Sequence, residues 1–246
     1  MKTFSFSKKM KKTLPLFISL ATAGILNARV ANADGFFRPS IYRITVYEAG
    51  LQNSSTGERS AVFKNDSGVT IDLADPGTMR NLASGASLKS GTWDQIYSIT
   101  SNTQSYAGND GTGCFIKQGS ATFPVPDADP NLATTTAGLA GTRTVTFNAF
   151  NVAGTDLGPI TSPSTADAGG QPISNQRSWL VSSSNPYPNG GGTINRILYL
   201  GSLGTPLVTP RDIVNINATY DLRNSFETRS SCARFFVDNV KFTISY

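Results

Sequence analysis

The chain is 246 residues long, with 21 basic and 16 acidic side chains, 39% apolar residues, two cysteines and no histidine. The lack of imidazole excludes His metal ligands, His general bases and Ser-His-Asp triads, while the apolar fraction is enough for a sizeable core. Residues 1–33 hold six of the basic side chains and no acid, which leaves 15 basic against 16 acidic over the other 213 residues, too even a balance for a nucleic-acid binder.

Those first 33 residues predict a cleavable secretory signal. A basic segment over residues 1–12 precedes an apolar stretch over residues 14–26, and Ala31-Asn32-Ala33 supplies a small-x-small cleavage site. The apolar stretch is interrupted by Pro15, Ser19 and Thr22 and falls short of the ~20 residues that span a bilayer. No later run is long enough for a transmembrane helix. The expected mature chain, residues 34–246, is therefore secreted or held at the cell surface, in a compartment that permits disulfides. Cys114 and Cys232 have one intramolecular pairing, closing a loop of 118 residues; a buried thiol pair or an intermolecular bridge are the alternatives.

Beyond the leader the recurring period is two. Short alternating segments fall over residues 41–48, 61–64, 69–73, 93–100, 114–117, 142–152, 177–181, 193–200, 214–222, 233–237 and 240–246. Each puts apolar side chains on one pleated face and polar ones on the other. Residues 76–86, with Met79, Leu82 and Ala83, are the one stretch that allows a short helical turn, limited by Gly77 and Gly85. Turn signals separate the segments at Asn109-Asp110-Gly111, Asp75-Pro76-Gly77 and residues 185–192. The fold class is all-β: an antiparallel β-sandwich or jelly roll of about 10–12 short strands with little helix. Residues 34–246 read as one domain, with two halves around residues 124–141 as the alternative, because that proline-rich stretch is poor in strand signal.

Candidate sites are few. Asp127, Asp129 and Asn131 open like a calcium loop, but Leu132 and Gly138 stand where an EF-hand needs its glycine and its final acid. Glu48, Glu58, Asp94 and Glu227 are scattered and mark no pair for acid–base hydrolysis; the chain reads as a non-enzyme that needs no cofactor. Tyr187, in a Pro/Gly-rich loop, with Tyr106 and Trp179, are candidates for stacking on a glycan. Asn53, Asn65 and Asn217 match the N-glycosylation acceptor pattern. Near the two ends, Tyr42, Ile44 and Val46, and Val240, Phe242, Ile244 and Tyr246, alternate along strands that predict edge-to-edge association with a second copy.

Leu88, Gly91, Thr92, Trp93 and Ile96, followed by Asn102, form an L-x-x-G-T-aromatic-x-x-I strand. This pattern resembles that of secreted bacterial β-sandwich domains from surface and envelope proteins. The resemblance spans residues 88–102 and implies the fold and a surface location, with no catalytic residues. The C-terminal strand is less similar to that of chaperone–usher pilins, since Tyr246 is last rather than penultimate and their early disulfide has no counterpart here. The expected function is structural or adhesive, with self-association or a cell-surface glycan as the partner. A carbohydrate-binding module and an outer-membrane β-barrel are the alternatives.

Overall fold

The computed structural model describes residues 35–74, 80–84, 88–123, 133–148, 155–159, 167–168, 171–188, 191–209, 215–222, 226–229, 232, 234–237 and 241–245. The leader read over residues 1–33 and the loop of Asp127, Asp129 and Asn131 lie outside them. So do Val240 and Tyr246.

Period-two patterning becomes strand almost throughout. The first strands are β1 (Gly35–Phe37), β2 (Ile41–Gln52), β3 (Arg59–Asp72), β4 (Arg80–Ser84), β5 (Gly91–Ser101) and β6 (Thr103–Ala107). They are followed by β7 (Phe115–Ile116), β8 (Gly119–Phe123), β9 (Ala133–Thr134), a single 3-10 turn at Ala137–Leu139, β10 (Arg143–Phe147), β11 (Thr155–Pro159) and β12 (Asp167–Ala168). The last are β13 (Gln171–Ser182), β14 (Ile194–Thr209), β15 (Asn215–Asp221), β16 (Phe226–Arg229), β17 (Arg234–Val237) and β18 (Lys241–Ser245).

The all-β expectation matches this architecture, with two corrections. The strands outnumber the expected 10–12, and four are long: β2 and β13 have 12 residues each, β3 has 14 and β14 has 16. Irregularities explain why they read as fragments. The pairing of β2 with β3 shifts register between Val46 and Glu48, so residues 65–68 have no partner on β2 and two separate alternating segments are one strand. A bulge moves side chains to the opposite face and breaks the period. The second correction concerns residues 76–86, the one stretch that allowed a short helical turn. Arg80–Ser84 is instead a strand, laddered antiparallel to Asn215–Ala218 of β15; a partner strand overrides weak local propensity.

The main sheet runs β4-β15-β18-β12-β13-β14-β5-β2-β6-β10-β8, with β11 also on β13 and β3 also on β2. Most pairs are antiparallel, but β8–β10 and β12–β18 are parallel, which makes the sheet mixed. Strands β5 and β6 are one path bent at Asn102. Both run along the same side of β2, but on their far sides β5 meets β14 while β6 meets β10. The sheet forks at this residue. Asn102, buried, donates its backbone N–H to the Asn195 carbonyl (3.4 Å) and its Nδ2 to the Phe147 carbonyl (2.9 Å), and its own carbonyl accepts from Phe147 N–H (2.8 Å).

The largest core lies on one face, where the three-stranded sheet β1-β16-β17 packs over the main sheet in a sandwich-like layer. Phe226 of β16 is fully buried and meets Phe37 at 5.7 Å, Tyr42 at 5.6 Å and Tyr106 at 5.4 Å between ring centroids. Three tyrosine hydroxyls converge on Gln104: Tyr42 and Tyr106 donate to its Oε1, and its Nε2 donates to Tyr199. A second cluster gathers Leu51, Trp93, Ile96 and Leu207. Trp93 is the aromatic of the L-x-x-G-T pattern; its Nε1–H donates to Thr209 Oγ1 (3.1 Å), which donates to the carbonyl of Lys89. A third cluster, Tyr97, Ile99, Val181, Leu198 and Leu200, lies on the other face of the central strands. Leu180 and Val181 are both fully buried, as are Ile197 and Leu198, so this part of the sheet is covered on both faces. A barrel wall with one face in lipid would leave alternate positions open.

Cys114 and Cys232 are bonded, with Cα atoms 5.5 Å apart. Closing a 118-residue loop contributes at most about 4–5 kcal/mol in the chain-entropy picture. Cys232 adopts φ 70°, a left-handed conformation uncommon outside glycine. Asp110 ties the same region again: its Oδ1 accepts the N–H groups of Thr112 and Cys114, and its Oδ2 accepts the Thr228 hydroxyl of β16 at 3.0 Å. Partial burial works against its charge, but these hydrogen bonds outweigh it and hold the carboxyl below the usual range. No described helix is long and apolar enough to cross a membrane.

Two expectations come from this architecture. Asn102→Ala removes the side-chain bond at the fork and leaves the Phe147 carbonyl short of a donor, so urea unfolding should show a loss of about 1–3 kcal/mol. Because the folded-state carboxyl of Asp110 is depressed, its stabilising contribution is present above the ordinary carboxylate range near pH ~4 and disappears as pH falls through its folded value. Asp110→Asn should lower stability at pH 7 and flatten the acid limb of an unfolding-versus-pH profile.

Candidate functional site

On the face that carries the third cluster, strand register aligns Trp179, Leu198, Ile99, Glu48 and Lys64 in one cross-strand row. The next row holds Arg177, Leu200, Tyr97, Gly50 and Ala61, and beyond it Gln95, Gln52 and Arg59 stand abreast. Gly50 and Ala61 are the small members. A Cβ on Gly50 would run into the Ser60 carbonyl, so this position stays bare beside the tyrosine ring.

Arg59 folds back across this space. Its guanidinium carbon lies 4.7 Å from the ring centroid of Tyr97 and 4.3 Å from that of Tyr187, so that the cation is held between two rings. Nε donates to Gln52 Oε1 (2.7 Å), Gln52 Nε2 donates to Gln95 Oε1 (3.1 Å), and Nη1 donates to the Pro186 carbonyl (3.0 Å). Nη2 is buried and makes no hydrogen bond among the described residues. The Tyr97 hydroxyl donates to Glu48 Oε1 (2.6 Å), and Glu48 Oε2 faces Lys64 Nζ at 3.7 Å. A cation stacked on desolvated rings is worth about 2 kcal/mol, against about 0.5–1 at an open site.

Tyr187 belongs to the β13–β14 connection, whose base is pinned by short polar bonds. Ser182 Oγ donates to the Gly191 carbonyl (2.7 Å) and accepts the Asn185 N–H (3.0 Å), while Asn195 Oδ1 accepts the Ser183 N–H (2.8 Å). With 46% of its surface exposed, Tyr187 presents one face outward while Arg59 backs the other. Two further cations lie by aromatic rings on this face: Arg196 is 3.2 Å from the centroid of Tyr47 and Arg177 is 5.9 Å from that of Trp179. Burial, first, lowers the Arg59 pKa, partly countered by Tyr187, Tyr97 and Glu48. Burial also pushes the Tyr97 phenol well above its ordinary value, reinforced by the hydrogen bond to Glu48 and its charge.

The residues singled out in the sequence disperse. Tyr187 is exposed as expected, and Trp179 is half-buried against the third cluster. Tyr106 is a correction: only 2% exposed, it packs between Tyr42 and Phe226 in the main core and has no face for a sugar. The terminal-strand expectation is corrected too. Tyr42, Ile44 and Val46 are buried on β2, which is laddered to β3 on one side and to β6 and β5 on the other. Phe242 and Ile244 stand on β18, which lies between β15 and β12. Edge association needs an unpaired ladder; β2 is paired along both sides, and β18 is paired with β15 throughout and with β12 at Thr243 and Ile244. Among the described residues no group of three His, Cys, Asp or Glu side chains is placed to hold a metal ion.

Arg59, Glu48, Gln52 and Tyr97 were not singled out as a site. Tyr97 lies in the alternating segment over residues 93–100, whose pattern marks a strand and no site, and nothing local links Arg59 to a tyrosine 128 residues later. No family model, curated protein or solved structure matches the chain.

The phenols of Tyr97, Tyr106 and Tyr199 are all raised, burial being the first cause in each. A phenol raised in the folded state supports folding below its ordinary value and withdraws that support as pH climbs past ~10. Absorbance titration of the folded protein should show the phenols of Tyr97, Tyr106 and Tyr199 silent until an alkaline unfolding transition, and Tyr97→Phe should remove one phenol from that late step.

Proposed function

We propose that the chain is an exported, non-enzymatic adhesive β-domain that holds a glycan on the outward face of Tyr187. The observation that carries this reading is the backing of that ring: an exposed tyrosine whose inner face rests on Arg59, itself seated on the buried Tyr97. A planar ring braced in this way loses little conformational entropy when a sugar stacks on it, since its orientation is set beforehand. The paired strands beneath supply a rigid base for a site on a loop. Export is supported by the leader pattern of residues 1–33 and by the Cys114–Cys232 bond, which suits an oxidising compartment. The resemblance of residues 88–102 to bacterial surface domains points the same way. Self-association through the terminal strands forms no part of the proposal, because both strands are already paired on two sides.

A glycan array followed by calorimetry on residues 34–246 tests the reading. Binding to at least one glycan class is expected, weakened about tenfold by Tyr187→Ala, a change of about 1.4 kcal/mol, and largely retained by Tyr187→Phe with an unchanged melting temperature. No binding to any glycan, or equal binding by Tyr187→Ala, removes it.

A further inference from the structure

Over residues 34–246 acidic and basic side chains nearly balance, yet the face beneath Tyr187 does not. Its aligned rows carry Arg59, Lys64 and Arg177, with Arg196 beside them opposite Val181 and Ser101, against two described acids, Glu48 and Asp156 of β11, the latter opposite Trp179. Glu48 is already engaged by the Tyr97 hydroxyl and Lys64. Arg59 is the cation nearest the exposed ring, and its Nη2 is buried without an acceptor among the described residues. A buried donor left unpaired costs free energy that a suitable acceptor recovers, more so when the pair is charge-assisted.

We propose that the glycan of the Tyr187 site is an acidic one, a uronate-type sugar whose carboxylate is received by Arg59. The inference rests on the glycan reading and specifies its ligand class. Arg59 Nε and Nη1 are committed to Gln52 and to the Pro186 carbonyl, so the guanidinium keeps its plane and offers Nη2 in one fixed direction. The carboxylate passes the edge of the half-exposed Tyr187 ring to reach that nitrogen, while the ring keeps its orientation against the sugar. Lys64, largely exposed at the row of Glu48, and the Arg177 and Arg196 positions extend the positive field along the sheet, which suits a polymer carrying a repeated negative charge.

The test compares wild-type affinity for oligomers of galacturonate, glucuronate and mannuronate with affinity for the same oligomers after reduction of the carboxyl to a hydroxymethyl group. Each pair shares its backbone, so the difference reports the charge. A preference of at least about tenfold for the acid form is expected, shrinking as NaCl is raised from 0.05 to 0.5 M by about the loss expected for screened pairs. Lys64→Gln, a surface change that leaves the Arg59 stack in place, should weaken binding of the acid form only. Arg59→Lys should reduce the preference while retaining weak binding, since an ammonium keeps the charge and loses the planar fork. Equal or stronger binding of the reduced forms overturns the inference and leaves the glycan reading standing. Binding to neither form by a protein that also fails on the glycan array overturns both.

Discussion

The bend at Asn102 is the constraint on which the rest of the architecture depends. A long strand can be shared by two successive neighbours only where its ladder is interrupted, and each interruption strands polar backbone groups in the interior. Asn102 resolves this with its own atoms. Its backbone and side chain reach Asn195 on one branch and Phe147 on the other, so both branches start fully hydrogen-bonded. From this point β14 and β13 continue one way and β10 and β8 the other. An apolar residue here would keep the two backbone bonds but leave the Phe147 carbonyl without its side-chain donor.

The two branches explain how a single sheet comes to own two unlike faces. On one, Phe37, Tyr42, Tyr106 and Phe226 form an aromatic core roofed by a second, smaller sheet. On the other, a smaller apolar cluster is bordered by arginines lying against rings. Guanidinium groups suit this duty because they are planar and weakly hydrated, and their stems cover apolar surface while the head meets a ring. The same arrangement concentrates positive charge on one side of a chain that is otherwise balanced.

The all-β class was legible because alternation is local and turns carry their own residue signature. Boundaries were less so: register shifts in β2, β13 and β14 disguise long strands as fragments. Tyr106 misled because its same-face neighbour is Gln104, a polar residue that suggests water but is buried and bonded to tyrosine hydroxyls. The terminal strands misled for another reason. A position near the end of a chain says nothing about position in a sheet, and β2 and β18 are both interior. Of the candidate site only Tyr187 was visible, through its Pro/Gly-rich loop. Arg59 reads as an ordinary polar strand residue, since the rings that give it meaning arrive from β5 and from the β13–β14 connection.

The small sheet β1-β16-β17 joins Gly35–Phe37 to Phe226–Arg229, and Cys114 waits for Cys232. A chain that emerges N-terminus first therefore carries its earliest strand unpartnered until almost the whole sequence has followed. Sheet closure, aromatic packing around Phe226 and oxidation of the thiols all depend on that late arrival. Such long-range pairing makes for slow folding and a prolonged interval with apolar strands uncovered. Efficient production of this protein is thus a matter of holding an incomplete chain apart from its neighbours until its final segment can dock.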